Sequence, residues 1–197
     1  MSVFSYLVPR IAGADWSVPE RVPMTHTGWL PSCPVAAWFQ ACHDGRDLRL
    51  RMEAEEAPVR ATLAGPLEQV CRDSCLEFFF APDGGERYFN FELNPLGTLC
   101  LGFGDKRPTR VRQVPKDLAQ FQIEPFRTRK GWGVSFAVPA DFVRLYFPAF
   151  TLSGEAAANF CKCGDDTQTP HYLTWSPSTS PVPDFHRRQD FGRLIFE

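Results

Sequence analysis

Val70 to Gly97 reads VCRDSCLEFFFAPDGGERYFNFELNPLG, two β-forming runs either side of a Pro-Asp-Gly-Gly turn. Phe78, Phe79, Phe80, Phe89 and Phe91 supply aromatic bulk suited to a pleated, packed surface, and Pro82 to Gly85 supply the chain reversal. The stretch predicts a β-hairpin at the centre of a sheet. Polar residues interrupt the aromatics: Asp73, Ser74, Glu77, Asn90, Glu92 and Asn94. A sheet face carrying them is a candidate surface for a polar ligand.

Outward from this hairpin the strand signal continues in both directions. Asp47 to Glu55, DLRLRMEAE, alternates Leu48, Leu50, Met52 and Ala54 with charged residues, the period of a half-buried antiparallel strand. Val35 to Cys42 reads as its hairpin partner across the Asp44-Gly45 turn. Thr98 to Phe103, Thr109 to Val114, Phe121 to Phe126, Gly133 to Val138, Ala157 to Cys163, His171 to Trp175 and Arg193 to Phe196 carry the series onward. One short helix is predicted over Ala140 to Phe147, opened by Pro139 and stopped by Pro148, with Phe142, Val143, Tyr146 and Phe147 on one face. Ser176 to Asp184, SPSTSPVPD, reads as an ordered surface loop. Many short strands and one short helix predict an all-β antiparallel sandwich.

The 197 residues suit one domain, spanning 1–197, that buries roughly 70% of its unfolded surface. A net charge of −2 with dispersed basic residues lacks the electrostatic footprint of a nucleic-acid binder. No apolar run reaches the ~18 residues of a membrane span, and the first residues lack a basic region followed by an apolar core. A cytoplasmic protein with no nucleic-acid or membrane partner is expected; its oligomeric state is left open. Seven cysteines are an odd number without the dense spacing of a secreted scaffold, so free thiols are expected. Cys161 and Cys163 share one face of a strand, as do Cys71 and Cys75, yet neither pair has the spacing of a four-ligand zinc site. His26, His43, His171 and His186 include no ligand-spaced pair. Asp165-Asp166 falls short of a calcium loop. No metal and no cofactor are therefore expected.

The sequence contains no nucleophile elbow, P-loop, dinucleotide fingerprint or HExxH motif. Glu77, Glu92 and Asp73 are carboxylates that a glycoside-processing enzyme would need in pairs, but strand carboxylates more often belong to structural networks. Of the five tryptophans, Trp38 is expected in the core, whereas Trp175 ends a strand just before the proline-rich loop and is expected to offer its ring to a ligand. Asp184, His186, Arg187, Arg188 and Asp190 read as a charged loop that pins the last strand.

DSCLEFFF at Asp73 to Phe80, YFNFELNPLG at Tyr88 to Gly97, LTWS at Leu173 to Ser176 and FGRLIFE at Phe191 to Glu197 occur in an order that resembles the family 9 carbohydrate-binding modules and the wider DOMON-like sandwich domains. The resemblance covers Val35 to Glu197. It implies an antiparallel β-sandwich and non-catalytic binding of a mono- or oligosaccharide, often at its reducing end, between two tryptophans. In that pattern Glu77 resembles the family's glutamate of the DSxE segment, Trp175 resembles one stacking tryptophan, and Asn90 falls near a polar strand residue that contacts sugar. Cys71 occupies the place of the second tryptophan. The resemblance leaves one alternative, a haem-binding redox module using Met24 or Met52 with a histidine, and the carboxylates leave another, a glycoside-processing enzyme using Glu77.

Overall fold

The computed structural model describes residues 4–13 and 15–197. In chain order the strands are β1 (Ser5–Val8), β2 (Val22–Met24), β3 (Ala36–His43), β4 (Asp47–Glu55), β5 (Cys75–Ala81), β6 (Tyr88–Leu93), β7 (Leu99–Gly104), β8 (Val111–Gln113), β9 (Glu124–Thr128), β10 (Gly131–Pro139), β11 (Gly154–Cys163), β12 (Tyr172–Thr174) and β13 (Gly192–Phe196). The one α-helix among the described residues, the short α1 (Ala140–Arg144), follows β10 directly. The strands form two sheets. The larger runs β1-β13-β11-β5-β6-β7-β8, with β12 beside the far end of β11, and the smaller runs β2-β3-β4-β10-β9. The fold is the all-β sandwich expected, antiparallel except where β1 lies parallel to β13.

The hairpin at Cys75–Leu93 sits in the middle of the larger sheet, and every residue of β5 and β6 is buried. Period two sorts their side chains into two unlike faces. Phe78, Phe80, Phe89 and Phe91 point between the sheets into the main core, where Phe160 stacks on Phe39 at 3.7 Å and on Phe78 at 4.9 Å. Cys75, Phe79 and Tyr88 point the other way, into a second cluster capped by Val70 and Phe185 and packed by Trp29, Leu63 and Phe191. Loops cover the outer face of this sheet, and the polar residues of the hairpin lie beneath them.

Several expectations need adjustment. β1 and β2 are short edge strands with little periodicity, one of them holding Pro23. Phe121 closes a 3-10 turn, Gln122 takes a left-handed conformation with φ 46°, and β9 starts only at Glu124. Trp38 is not a core residue. It lies on the outer face of the smaller sheet, half-buried, with the Arg21 guanidinium 4.0 Å above its ring. No helix of the described residues is long and apolar enough to cross a membrane.

A buried polar network closes one end of the sandwich. Lys162 is wholly buried, and its Nζ lies 3.1 Å from Glu56 Oε2 and donates to His171 Nε2 at 2.6 Å and to the Cys163 carbonyl at 2.7 Å. Trp132 Nε1 donates to Glu56 Oε2 at 2.9 Å, and Ser74 Oγ to Glu56 Oε1 at 2.7 Å. An ammonium has no lone pair, so His171 Nε2 must accept and Nδ1 carry the proton, which goes to the Thr169 carbonyl at 2.9 Å. Burial, with Lys162 adding to it, holds the His171 pKa below the ordinary histidine value.

Candidate functional site

The hairpin's polar residues separate into two groups. Asp73, Ser74 and Asn94 are structural: Asp73 accepts hydrogen bonds from Thr62 N, Leu63 N and Asn94 Nδ2 at 2.7, 2.9 and 3.0 Å, and Ser74 Oγ accepts from Arg60 N at 2.9 Å. They tie the 60–63 segment to the sheet. Glu77, Asn90 and Glu92 instead share the outer face, on neighbouring strands. Register fixes this arrangement. Cys161, Glu77, Glu92 and Cys100 stand directly opposite one another on β11, β5, β6 and β7, and Cys163 stands opposite Cys75.

Over this row opens a cleft of about 200 Å³. Glu77, Glu92 and Cys163, buried on the sheet, form its floor, and Cys71, Arg107, Arg110, Asp165, Tyr172, Asp184, Phe185 and His186 surround it, with Asp165 beside Tyr172. Its volume is below the ~300 Å³ of ordinary drug-sized ligand pockets and suits one small polar ring. Tyr172, Phe185 and Trp29 form one aromatic group: Trp29 lies 5.9 Å from Tyr172 and 5.5 Å from Phe185, and its indole N–H donates to the Ser180 carbonyl at 2.8 Å. The proline-rich loop is ordered and helps build this wall.

Glycine makes room for the cleft's guanidinium. A Cβ on Gly102 of β7 would stand 3.0 Å from Arg110 Cδ and Nε, so the bare backbone lets Arg110 lie across the strand. There Arg110 Nη2 meets Glu92 Oε1 at 3.2 Å, with both side chains largely buried. Arg110 Nε and Asn90 Oδ1 are buried and have no hydrogen-bond partner. Such orphaned groups carry a desolvation cost that a polar ligand can relieve.

The electrostatics are unusual for carboxylates. Burial, reinforced by the neighbouring Glu92 carboxylate, pushes the Glu77 pKa up to about 8, while Asn90 Nδ2 donates to its Oε2 at 3.2 Å and the Cys163 thiol donates to its Oε1 at 3.1 Å. Glu92 is raised by burial, against the pull of Arg110. Asp165 is raised as well, chiefly by burial. His186, whose Nδ1 lies 3.0 Å from Tyr88 Oη, is driven down to about 2 by burial and then by Arg110 and Arg107. At neutral pH the cleft thus offers a neutral imidazole and a protonated Glu77, which can donate as well as accept.

Of the three binding residues read from the sequence, the structure brings two together. Glu77 and Asn90 are hydrogen-bonded partners on the outer face of the larger sheet. Trp175 lies elsewhere: it is 5% exposed, inside the main core, with Phe39 at 5.3 Å, Phe160 at 5.9 Å and Phe4 at 6.2 Å. Gly192 completes that socket, since a Cβ there would come within 2.7 Å of the indole ring. Trp175 therefore presents no ring face to a ligand, which corrects the expectation of a stacking platform. Trp175→Ala is expected to act as a core truncation, lowering stability by about 3 to 5 kcal/mol in urea unfolding. A variant of unchanged stability would contradict this packing. Cys71 does line the cleft, as the resemblance implies, while Tyr172 and Phe185 provide aromatic surface that sequence reasoning missed. Asp184 and His186, read as a pinning loop, are cleft residues too. Met24 and Met52 are buried between the sheets, so neither presents sulfur to a haem cavity.

One further set of donors lies at the floor. A carboxylate oxygen of Glu77 and the sulfurs of Cys75 and Cys163 all lie within 4.8 Å of one another, and all three residues are buried.

Comparison with known proteins agrees with the fold. The model of carbohydrate-binding family 9 matches residues 20–196. A crystal structure from Bacteroides uniformis, of a protein to which carbohydrate binding has been ascribed, is 32% identical, with all of both chains covered and a TM-score of 0.86. Two structures of a family 9 carbohydrate-binding module from Caldicellulosiruptor kristjanssonii also superpose. The glucose complex gives 11% identity and a TM-score of 0.71, covering 98% of this chain and 96% of the module. The cellotriose complex gives 10% and 0.70, covering 98% and 93%. No curated protein matches the chain by sequence.

Proposed function

This chain belongs to carbohydrate-binding family 9, and from that premise we propose that the cleft over β5 and β6 binds a single sugar unit, free or at the end of an oligosaccharide, without cleaving it. The observation that carries this reading is the convergence, in one small cleft, of side-chain donors and acceptors with aromatic surface. Glu77, joined by Glu92 and Arg110, is assigned to the sugar hydroxyls, with Asn90 beneath the cleft orienting Glu77 through its amide; Arg110 Nε has unused hydrogen-bonding capacity. Tyr172 and Phe185 are assigned to the apolar face of the ring, the work that Trp175 was expected to do. Glu77 and Glu92 sit side by side on one floor, whereas hydrolysis uses carboxylates that flank the scissile bond. The arrangement favours holding over cutting.

Calorimetric titration of the full chain against mono- and oligosaccharides, with free and with reduced ends, tests the proposal. Glucose and cellotriose, the ligands of the two Caldicellulosiruptor modules, head the panel. Saturable binding is expected, weakened roughly tenfold in Tyr172→Ala, the loss of about 1 to 1.5 kcal/mol of ring contact. No binding across the panel would overturn the reading, as would full affinity in Tyr172→Ala.

A further inference from the structure

We propose that Cys75, Cys163 and Glu77 form a three-ligand site for a thiophilic divalent cation of the zinc class, with its fourth coordination position open to the cleft. This goes beyond sugar binding, and the metal alone is the ligand concerned.

Strand register brings the three donors together. Cys163 and Cys75 are direct cross-strand partners, and Glu77 follows Cys75 by two residues, on the same face of the same strand. Three donors thus converge from two neighbouring strands that are buried at these positions, the kind of support that holds a metal site in shape. Tetrahedral zinc, with Zn–S near 2.3 Å and Zn–O near 2.0 to 2.2 Å, places its ligand atoms on the order of 3.5 Å apart. Here Cys163 Sγ already lies 3.1 Å from Glu77 Oε1, and no donor pair exceeds 4.8 Å. Side-chain rotation closes the remaining gap without moving the sheet.

The surroundings fit a thiolate and carboxylate site. Asn90 Nδ2 holds Glu77 Oε2, leaving Oε1 for the cation, as outer hydrogen bonds commonly orient metal-binding carboxylates. Cys163 and Glu77 face the cleft, with Cys75 behind them, so entry is from the cleft and one position stays open to water or a ligand oxygen. Two soft sulfurs select zinc-like ions over calcium or magnesium, which prefer all-oxygen shells. Binding releases both thiol protons to solvent, and the Glu77 proton where it is present. The complex then carries two thiolates and one carboxylate against a dication, a single excess negative charge beside Arg110 and Arg107.

Cobalt(II), a spectroscopic substitute for zinc, is titrated into the reduced full chain in chelator-treated buffer. One equivalent is expected to give sulfur-to-cobalt charge-transfer absorption and the intense visible bands of a tetrahedral site, both abolished by one equivalent of zinc. Cys163→Ser and Cys75→Ala are expected to lose the sulfur-to-cobalt band, and Cys33→Ser, a half-buried loop cysteine, to keep it. Zinc-edge X-ray absorption on the unmutated protein decides independently of any folding defect in the variants: two sulfurs near 2.3 Å with lighter donors support the site. No charge-transfer band in the unmutated chain, its persistence in Cys163→Ser, or a zinc shell of oxygen and nitrogen alone would overturn the proposal.

Discussion

Glu77→Gln is expected to stabilise the fold at pH 8 while abolishing most saccharide affinity. The folded protein holds the Glu77 proton up to about pH 8, because burial and the Glu92 charge disfavour the carboxylate, whereas the ordinary value is 4.5. Below about pH 4.5 the folded and unfolded chains are both protonated at this residue, and the contribution it makes to stability is fully present. As pH rises the unfolded chain releases its proton first, so that contribution is lost progressively until about pH 8 and is then gone. Each unit of separation corresponds to about 1.4 kcal/mol, so the separation between 4.5 and about 8 amounts to a loss on the order of 5 kcal/mol, shared with Glu92 because the two carboxylates titrate together.

Glutamine cannot ionise, and its amide can still meet Asn90 and Cys163. Urea unfolding of metal-free protein, in chelator, is expected to show the two proteins nearly equal at pH 4 and the variant more stable at pH 8. Curves that stay parallel across that range would refute the assignment. The same substitution removes a group that the proposed function places on sugar hydroxyls, costing about 1 to 3 kcal/mol of binding. Stability and binding then move in opposite directions, as expected where a site retains a costly buried group for its ligand.

Glu56→Ala should be among the most damaging single changes in the molecule. It removes the carboxylate facing Lys162, whose side chain is entirely buried, and strips Trp132 Nε1 and Ser74 Oγ of their acceptor. An ammonium left without its counter-charge in such a place costs about 3 to 5 kcal/mol, a large part of the ~5 to 15 kcal/mol that holds a domain together. A drop in melting temperature on the order of 10 °C follows for a chain of this size.

Replacing both charges, as Glu56→Leu with Lys162→Met, should recover part of that loss, because neither ion remains to be desolvated. Failure of the double variant to exceed Glu56→Ala in stability would assign the network's value to its neutral hydrogen bonds instead. The network also bears on the cleft. Lys162 Nζ binds the Cys163 carbonyl, so the residue that faces the core on β11 fixes the backbone of the one that faces Glu77. Loosening the first is expected to blur the geometry of the second.

By itself the sequence determined the sandwich, and it did so through pattern. DLRLRMEAE alternates so cleanly that β4 spans the residues read for it, and the two halves of the Val70 to Gly97 stretch form the central hairpin at β5 and β6. Period two is a local property of an extended chain with one apolar face, and it survives whatever the strand packs against. Glu77 and Asn90 were legible for the same reason: polar side chains among phenylalanines had to be explained.

Only the tertiary structure decided which face each polar group serves. Aromatic residues on both faces of β5 made its buried sides look alike, so nothing local distinguished Asp73, a structural clamp, from Glu77, a cleft residue. Trp175 ends a strand and precedes a loop, which suggested exposure, yet Phe39 from the opposite sheet and the bare backbone of Gly192 close over it. The wall it was meant to supply comes from Tyr172 and Phe185, brought together by loop packing that has no period. Cys75 and Cys163 are 88 positions apart in the chain and meet solely because β5 pairs with β11 in one register. Adjacent spacing along a strand is written in sequence; adjacency across strands is created by folding.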